Sequence, residues 1–194
     1  RQVFCATNIA YLPPLLPYSD LNCNEGIGCF CLYHGNLSVP ENEKAAFWLM
    51  EEVFNDLNVP FVLAGKNPSK KLERVAANQG HTCVVANPSE QELQDMIGKA
   101  QINVLPSFNC TGIKLKLLNA LFNGRHCVVN DATVYSTGLE PACHIGSNAQ
   151  AFKSIIIQLY HKPFAEEEIL LRKKLLDTTF NNQQNAKRLI QWIW

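Results

Sequence analysis

The sequence carries no excess of either charge: 17 Lys and Arg stand against 17 Asp and Glu. Without a global basic field it has nothing to draw nucleic acid or an anionic membrane, so any anion site must be local. It has no run of about 18 apolar residues, the length a membrane-spanning helix needs. It has no CxxC and no Cys/His pairing at the spacing of a structural zinc site. An Asp-x-Asp for a divalent ion is missing, so no metal and no cofactor are expected. No GxGxxG follows the first strand-like run, which argues against a dinucleotide-dependent oxidoreductase. No acidic cluster marks the strand ends, as a flavodoxin-like signalling domain would require. The chain opens at Arg1 with neither Met nor a signal-peptide pattern, which reads as an excerpt or a processed product.

What is present is globular. Of 194 residues, 47% are hydrophobic and 18% charged, enough apolar matter for one domain with a sizeable core. The eight cysteines admit two readings, an extracellular disulfide framework or reduced thiols in a cytoplasmic protein. The second is preferred, because Cys83, Cys127 and Cys143 sit in short apolar runs where Cys acts as a small buried hydrophobe. Cys29 and Cys31 share a strand face without a matching second pair. The sequons at Asn36 and Asn109 read as accidental, since both fall in loops expected to hold a ligand.

Residues 1–28, with Pro13, Pro14 and Pro17, form a lead-in or linker, and residues 29–194 form the domain. CFCLYHG, VPFVLAG, HTCVVA, INVLPS, HCVVN and ACHIG read as six strands. Between the first two, Ala46, Leu49, Met50, Val53, Phe54 and Leu57 mark the apolar face of a helix that Pro40 precedes. Further helices are expected near 70–78, over 90–99 with a Ser89/Glu92 capping box, from Gly112 to Gly124, and over 149–160, 165–176 and 181–193. Strands without polar alternation, separated by helices, predict an α/β fold: a Rossmann-like parallel sheet of about six strands covered on both faces. Ligands on such sheets sit at the carboxyl ends of the strands.

The segment INVLPSFNCTGIKLKLLNALFNGRHCVVN, residues 102–130, bears the chemistry. A helix starting at Gly112 or Ile113 offers unpaired amides and a positive dipole end, and a glycine lets an anion reach the backbone. Lys114 in the first turn of that helix fits a phosphate contact better than a solvated surface role. Lys116, about 200° further round, is expected to point elsewhere. Asn119 returns to the face of Gly112 two turns on; it is either a core amide or a partner for a ribose hydroxyl. Lys66 reads as a solvated loop lysine. His34 either meets phosphate or sugar, or caps its strand. Asp131 either faces the cleft or, more simply, caps toward Thr133. His144 reads as structural. Trp192 and Trp194 either cover this domain's own core, the preferred option, or pack on another domain.

The run TGIKLKLLNALFNGRHCVV resembles the donor-binding segment of retaining GT-B glycosyltransferases (glycosyl transferases group 1, mannosyltransferase-like). YHGNLSVPEN, VLAGKNP and VANPSEQELQDMIGKAQINVLPS extend the resemblance over about residues 30–160. It implies that Gly112, Ile113, Lys114, Gly35 and Asn36 hold the donor diphosphate. It implies further that Asn119 meets the ribose and that Ala86, Asn87 and Pro88 flank the base. Asn109, Cys110 and Thr111 would face the donor sugar. The family's two acidic positions are occupied here by Thr111 and Asn119, and the Arg and Lys of its first loop by Asn36 and Asn42.

The resemblance implies transfer of a hexose, mannose among the candidates, from a nucleoside diphosphate sugar to a glycan or lipid-linked acceptor. Preorganised amides and a lysine would stabilise the leaving diphosphate without a metal. It implies a missing N-terminal Rossmann-like domain as partner, a fragment inactive alone, a role in polysaccharide biosynthesis, and a cytoplasmic place, with the membrane periphery open. The loss of both acidic residues keeps a second reading alive, a non-catalytic nucleotide-sugar-binding or regulatory domain.

Overall fold

The computed structural model describes residues 9–194, so the first residues of the lead-in, with Cys5, lie outside the described residues. Six strands make one parallel sheet in the order β3-β2-β1-β4-β5-β6. They are β1 (Cys31–Asn36), β2 (Phe61–Lys66), β3 (Thr82–Ala86), β4 (Ile102–Val104), β5 (His126–Val129) and β6 (His144–Ile145). Every expected strand is there and every pair is parallel.

The helices are α1 (Pro40–Trp48), α2 (Lys70–Ala77), α3 (Glu90–Lys99), α4 (Leu115–Asn123), α5 (Asp131–Val134), α6 (Ala149–Tyr160), α7 (Glu166–Thr179) and α8 (Asn182–Ile193). Pro40 stands at the start of α1, where its missing N–H costs nothing. The helix then widens into a π-helical turn over Leu49–Val53. The expected apolar face is the one buried: Ala46, Leu49, Met50, Val53 and Phe54 are fully enclosed. Phe54 stacks on Phe61 of β2, ring centroids 3.9 Å apart. The capping box of α3 forms as the sequence requires, with Ser89 Oγ accepting from Glu92 N at 3.2 Å and Glu92 accepting from Ser89 N at 2.8 Å.

β1→β2→β3 runs one way across the sheet and β4→β5→β6 the other. Right-handed crossovers therefore place α1 and α2 on one face and α3 and α4 on the opposite one. α6 returns to pack on the π-helical turn of the first layer. The sheet is thus doubly wound, and its winding reverses between β1 and β4, the crevice where such folds receive ligands.

Two arginines tie the layers together without a carboxylate. Arg172 of α7 is 2% exposed. It donates to Leu121 O, Gly124 O and Arg125 O at the carboxyl end of α4, and lies over the Phe164 ring. Arg125 donates to Gly98 O and Ala100 O at the end of α3. Each guanidinium neutralises orphan carbonyls at the negative pole of a helix.

Several expectations need correction. Cys83 is exposed, because β3 is an edge strand; Cys127 is buried and Cys143 half-buried, and the described cysteines are free. Trp192 and Trp194 do not cover the core: they are 46% and 98% exposed, beside exposed Ile190 and Ile193. Gly124 closes α4 for packing rather than for a left-handed turn: its φ is −110°, and a Cβ there would collide with Asn103 Nδ2.

Candidate functional site

The carboxyl ends of β1 and β4 feed two loops that face each other across the switch point. The β1 loop turns at Asn36, whose Oδ1 accepts from Ser38 N at 3.1 Å and Ser38 Oγ at 2.8 Å. Asn42 closes that loop by donating Nδ2 to Asn36 O at 2.9 Å. Gly35 sits against the Asn42 side chain. The β4 loop is latched from β5: Asn130 Nδ2 donates to Ser107 O at 2.7 Å, and Asn130 Oδ1 accepts from Ser107 N at 3.0 Å. Asn130 also precedes α5 and takes the Thr133 hydroxyl at 2.8 Å. The cap position before α5 thus belongs to Asn130 and not to Asp131.

Between the loops lies a cavity of about 150 Å³, lined by Asn42, Ser107, Phe108, Asn109, Lys114 and Lys116 among others. Two expectations about its lysines fail together, for one reason. α4 begins at Leu115, not at Gly112 or Ile113, so Lys114 is the extended residue before the helix. The rotation of about 100° per residue that would have separated Lys114 from Lys116 applies only inside a helix. Both side chains consequently enter the same cavity. Lys114 Nζ donates to Asn109 Oδ1 and, at 2.7 Å, to Thr111 O, bracing the loop. Lys116 Nζ reaches the β1 side. It donates to Asn42 Oδ1 at 3.1 Å and to Tyr33 Oη at 3.2 Å, and stands 4.6 Å from the centre of the Tyr33 ring.

Burial of the Lys116 ammonium, with the charge of Lys114 nearby, pulls its pKa down to about 8. Among the described residues no carboxylate bonds to it, although Glu41 lines the same cavity. A desolvated cation at a sheet switch point, held only by neutral oxygens and a π face, is arranged to receive an anion. Its signal in the sequence was an isolated Lys two residues into an apolar helix, which an exact helix start would have exposed.

Gly112 has φ +66°, a left-handed conformation, with open space where a side chain would stand. The amides of Gly112, Ile113 and Lys114 have no acceptor among the described residues. Cys110 and Thr111 are exposed, and Asn109 holds Lys114. Asn119, half-buried one turn into α4, accepts from Asn123 Nδ2 at 2.9 Å, which leaves its own Nδ2 hydrogens uncommitted. It does not line the cavity. Asn87, at φ +52°, bridges β3 to β2: its Oδ1 accepts from Asn67 N at 2.8 Å and its N–H donates to Gly65 O at 2.8 Å. This presents Ala86 and Pro88 at the sheet's carboxyl edge. His34 neither caps its strand nor opens to the cavity. It is 3% exposed, its Nε2 lacks a partner, and burial and Lys116 pull its pKa down to about 3. A larger cavity, about 560 Å³, lies elsewhere, between the lead-in and α3 beside Asn24, Gln94 and Arg125.

A doubly wound parallel sheet with two lysines and a left-handed glycine loop at its switch point defines the class, a Rossmann-like α/β domain with the layout of one half of a GT-B glycosyltransferase. The chain belongs to the glycosyl transferases group 1 family, whose model matches residues 29–162. A curated relative, an uncharacterized 44.6 kDa protein in the cps region of Klebsiella pneumoniae, is 28% identical over 144 residues, covering 66% of this chain. The chain spans only 36% of that relative's length. Among solved structures, S. aureus TarM, in a crystal with fondaparinux, alpha-GlcNAc-glycerol and UDP, superposes with a TM-score of 0.70 at 14% identity. That match covers 98% of this chain and 40% of TarM. AviGT4, a glycosyltransferase involved in avilamycin A biosynthesis, gives a TM-score of 0.65 at 14% identity, covering 96% of this chain and 58% of that one. At such identities the structural likeness speaks for the fold. Among the described residues no helix is long and apolar enough to cross a membrane.

Proposed function

We propose that this chain is the C-terminal, donor-binding half of a retaining GT-B glycosyltransferase. The enzyme transfers a hexose, mannose being one candidate, from a nucleoside diphosphate sugar to a glycan or lipid-linked acceptor. The observation that carries this reading is the Lys116 ammonium, desolvated between Tyr33 and Asn42 at the switch point and bonded to no carboxylate among the described residues. In the transition state negative charge grows on the departing diphosphate. A cation and unpaired amides already in place stabilise it without reorganisation.

The diphosphate lies against the amides of Gly112, Ile113 and Lys114, with Gly35 and Asn36 on the opposite wall, and Lys116 supplies the charge. Lys114 serves by holding the loop as well as by its own charge. Asn119 donates to the ribose, Ala86, Asn87 and Pro88 border the base, and Asn109, Cys110 and Thr111 border the sugar. The acceptor side belongs to an N-terminal Rossmann-like domain, and the fragment alone turns over little. The exposed face of α8, with Trp192, Ile193 and Trp194, is suited to packing on that domain. Surface polysaccharide assembly, on the cytoplasmic side of a membrane, is the setting this activity fits.

Thr111 and Asn119 support a second reading, a domain that binds the donor without transferring its sugar. Calorimetric titration with UDP, GDP, ADP and their sugars tests both. One nucleoside diphosphate that binds, and binds at least tenfold more weakly to Lys116→Ala, supports the site and identifies the base. Donor binding with no turnover by the full-length protein selects the second reading. No binding by the full-length protein sinks both.

A further inference from the structure

At the opposite end of the sheet from the donor loops, three potential metal ligands converge from distant parts of the chain. His126 opens β5, His144 opens β6, and Glu168 lies in the first turn of α7. One ligand atom from each lies within 4.8 Å of the other two. Glu168 Oε1 is 3.4 Å from His126 Nδ1 and 4.0 Å from His144 Nε2.

The orientation of His126 is the telling feature. Its side chain is fully buried. Its Nε2 lies 3.1 Å from Lys162 O, a carbonyl that can only accept, so Nε2 carries the hydrogen. In the neutral ring Nδ1 then presents a bare lone pair, and it has no hydrogen-bond partner. That lone pair faces a carboxylate oxygen. Two lone pairs at this distance repel unless a proton or a metal ion stands between them, and in the neutral ring the place is open to a metal. A histidine that donates one ring N–H to a backbone carbonyl and aims the other nitrogen at a carboxylate has the outer-shell arrangement of a metal ligand. Glu168 is oriented as well: its Oε2 accepts from Ala165 N at 3.2 Å, which turns Oε1 toward the histidines.

We propose that His126 Nδ1, His144 Nε2 and Glu168 Oε1 form a binding site for a divalent transition metal, zinc being the ion of best fit. Two imidazoles and one carboxylate are a recurrent zinc donor set, with a fourth position left to water. At metal–ligand distances of about 2.0–2.1 Å, tetrahedral ligand atoms stand about 3.3 Å apart, close to the His126–Glu168 spacing. The His144 ring, on the half-exposed edge strand, closes the remainder. A neighbouring cavity of about 50 Å³, bounded by Pro141, His144, Phe164 and Leu171, leaves room for the water. Two cations oppose the metal. Lys162 Nζ lies 3.9 Å from Glu168 Oε1 but is 54% exposed, so solvent screens its charge. Arg172 is committed to the carbonyls of Leu121, Gly124 and Arg125. The site lies at the amino ends of β5 and β6, across the sheet from the donor loops, and is independent of the donor reading. Its effect is to clamp α7 to the amino ends of β5 and β6.

The test is titration of the chelator-treated chain with Zn²⁺ by calorimetry and with Co²⁺ by visible absorption, the exposed thiols first blocked under native conditions. The expected result is one ion per chain, a Co²⁺ spectrum without thiolate charge-transfer bands, and a thermal midpoint several degrees higher with zinc. His144→Ala and Glu168→Gln each weaken binding at least tenfold while their midpoints in chelator stay near the parent's. Imidazole proton resonances of the parent chain, followed through the zinc titration, give a readout that does not depend on any variant folding. Absence of stoichiometric binding, binding unchanged in both variants, or imidazole resonances that do not move would each overturn the proposal.

Discussion

Replacing Lys116 with Met should make the protein more stable and its anion binding worse. The ordinary lysine value of 10.5 falls to about 8 in the folded chain, chiefly through burial. At about 1.4 kcal/mol per pKa unit, holding this charge costs the folded state up to about 3 kcal/mol. Solvent screening of a half-buried group and the loss of the bonds to Asn42 and Tyr33 reduce the expected gain to about 1–2 kcal/mol. For a chain of this size that raises the thermal midpoint by roughly 2–8 °C. The pH dependence has a definite sign. Below pH 8 Lys116 is charged in both the folded and the unfolded chain, and the cost is fully present. Between about 8 and 10.5 the unfolded chain holds the proton more tightly, so the parent gains stability as pH rises and the advantage of the variant shrinks. A bound diphosphate favours the charged form, so affinity should be highest below pH 8 and decline above it. Loss of one charge-assisted bond, about 1.5–3 kcal/mol, weakens nucleoside diphosphate binding roughly 10- to 100-fold. Calorimetry and thermal melts from pH 6.5 to 10 read both effects. A variant that melts lower than the parent at pH 7 and binds equally well would refute the assignment.

Arg172→Leu should lower stability by about 2–4 kcal/mol, because Gly124 O and Arg125 O lose their buried donor; urea denaturation measures it. Gly65→Ala drives a Cβ into Gly35 O across the β1–β2 ladder and should abolish soluble folding, whereas Gly80→Ala meets nothing within 4 Å and should be silent in the same expression and melting assay. Ser89→Ala removes the cap of α3 at a cost of about 1 kcal/mol, visible as a midpoint shift of about 2–4 °C.

The layers of the fold were legible because the strands are apolar throughout and glycine, proline or capping residues punctuate the segments between them. The face of α1 and the Ser89 box needed only periodicity and a four-residue pattern. The site was legible as a set of loops but not as a set of contacts. Reading Gly112 as the helix start moved the origin of the helical rotation by three residues, which wrongly turned Lys116 away from the loop that holds Lys114. Long-range contacts were beyond local patterns as well. Nothing in the sequence near Asn130 says that it latches Ser107, and nothing joins His126 to Glu168 across the 41 intervening positions of chain. Trp192 and Trp194 show the converse limit: their apolar character suggested a covered position, and the fold leaves both exposed.

The central claim is that a nucleoside diphosphate sits where β1 and β4 diverge. Amide NMR of the labelled chain, titrated in turn with UDP, GDP and ADP, tests it most directly. The account predicts saturable shifts for one of the three, concentrated at Gly35, Asn36 and Gly112–Lys116. Shifts confined to the larger groove beside Asn24 and Gln94, or none for any nucleotide at millimolar concentration even with the full-length protein, would contradict it.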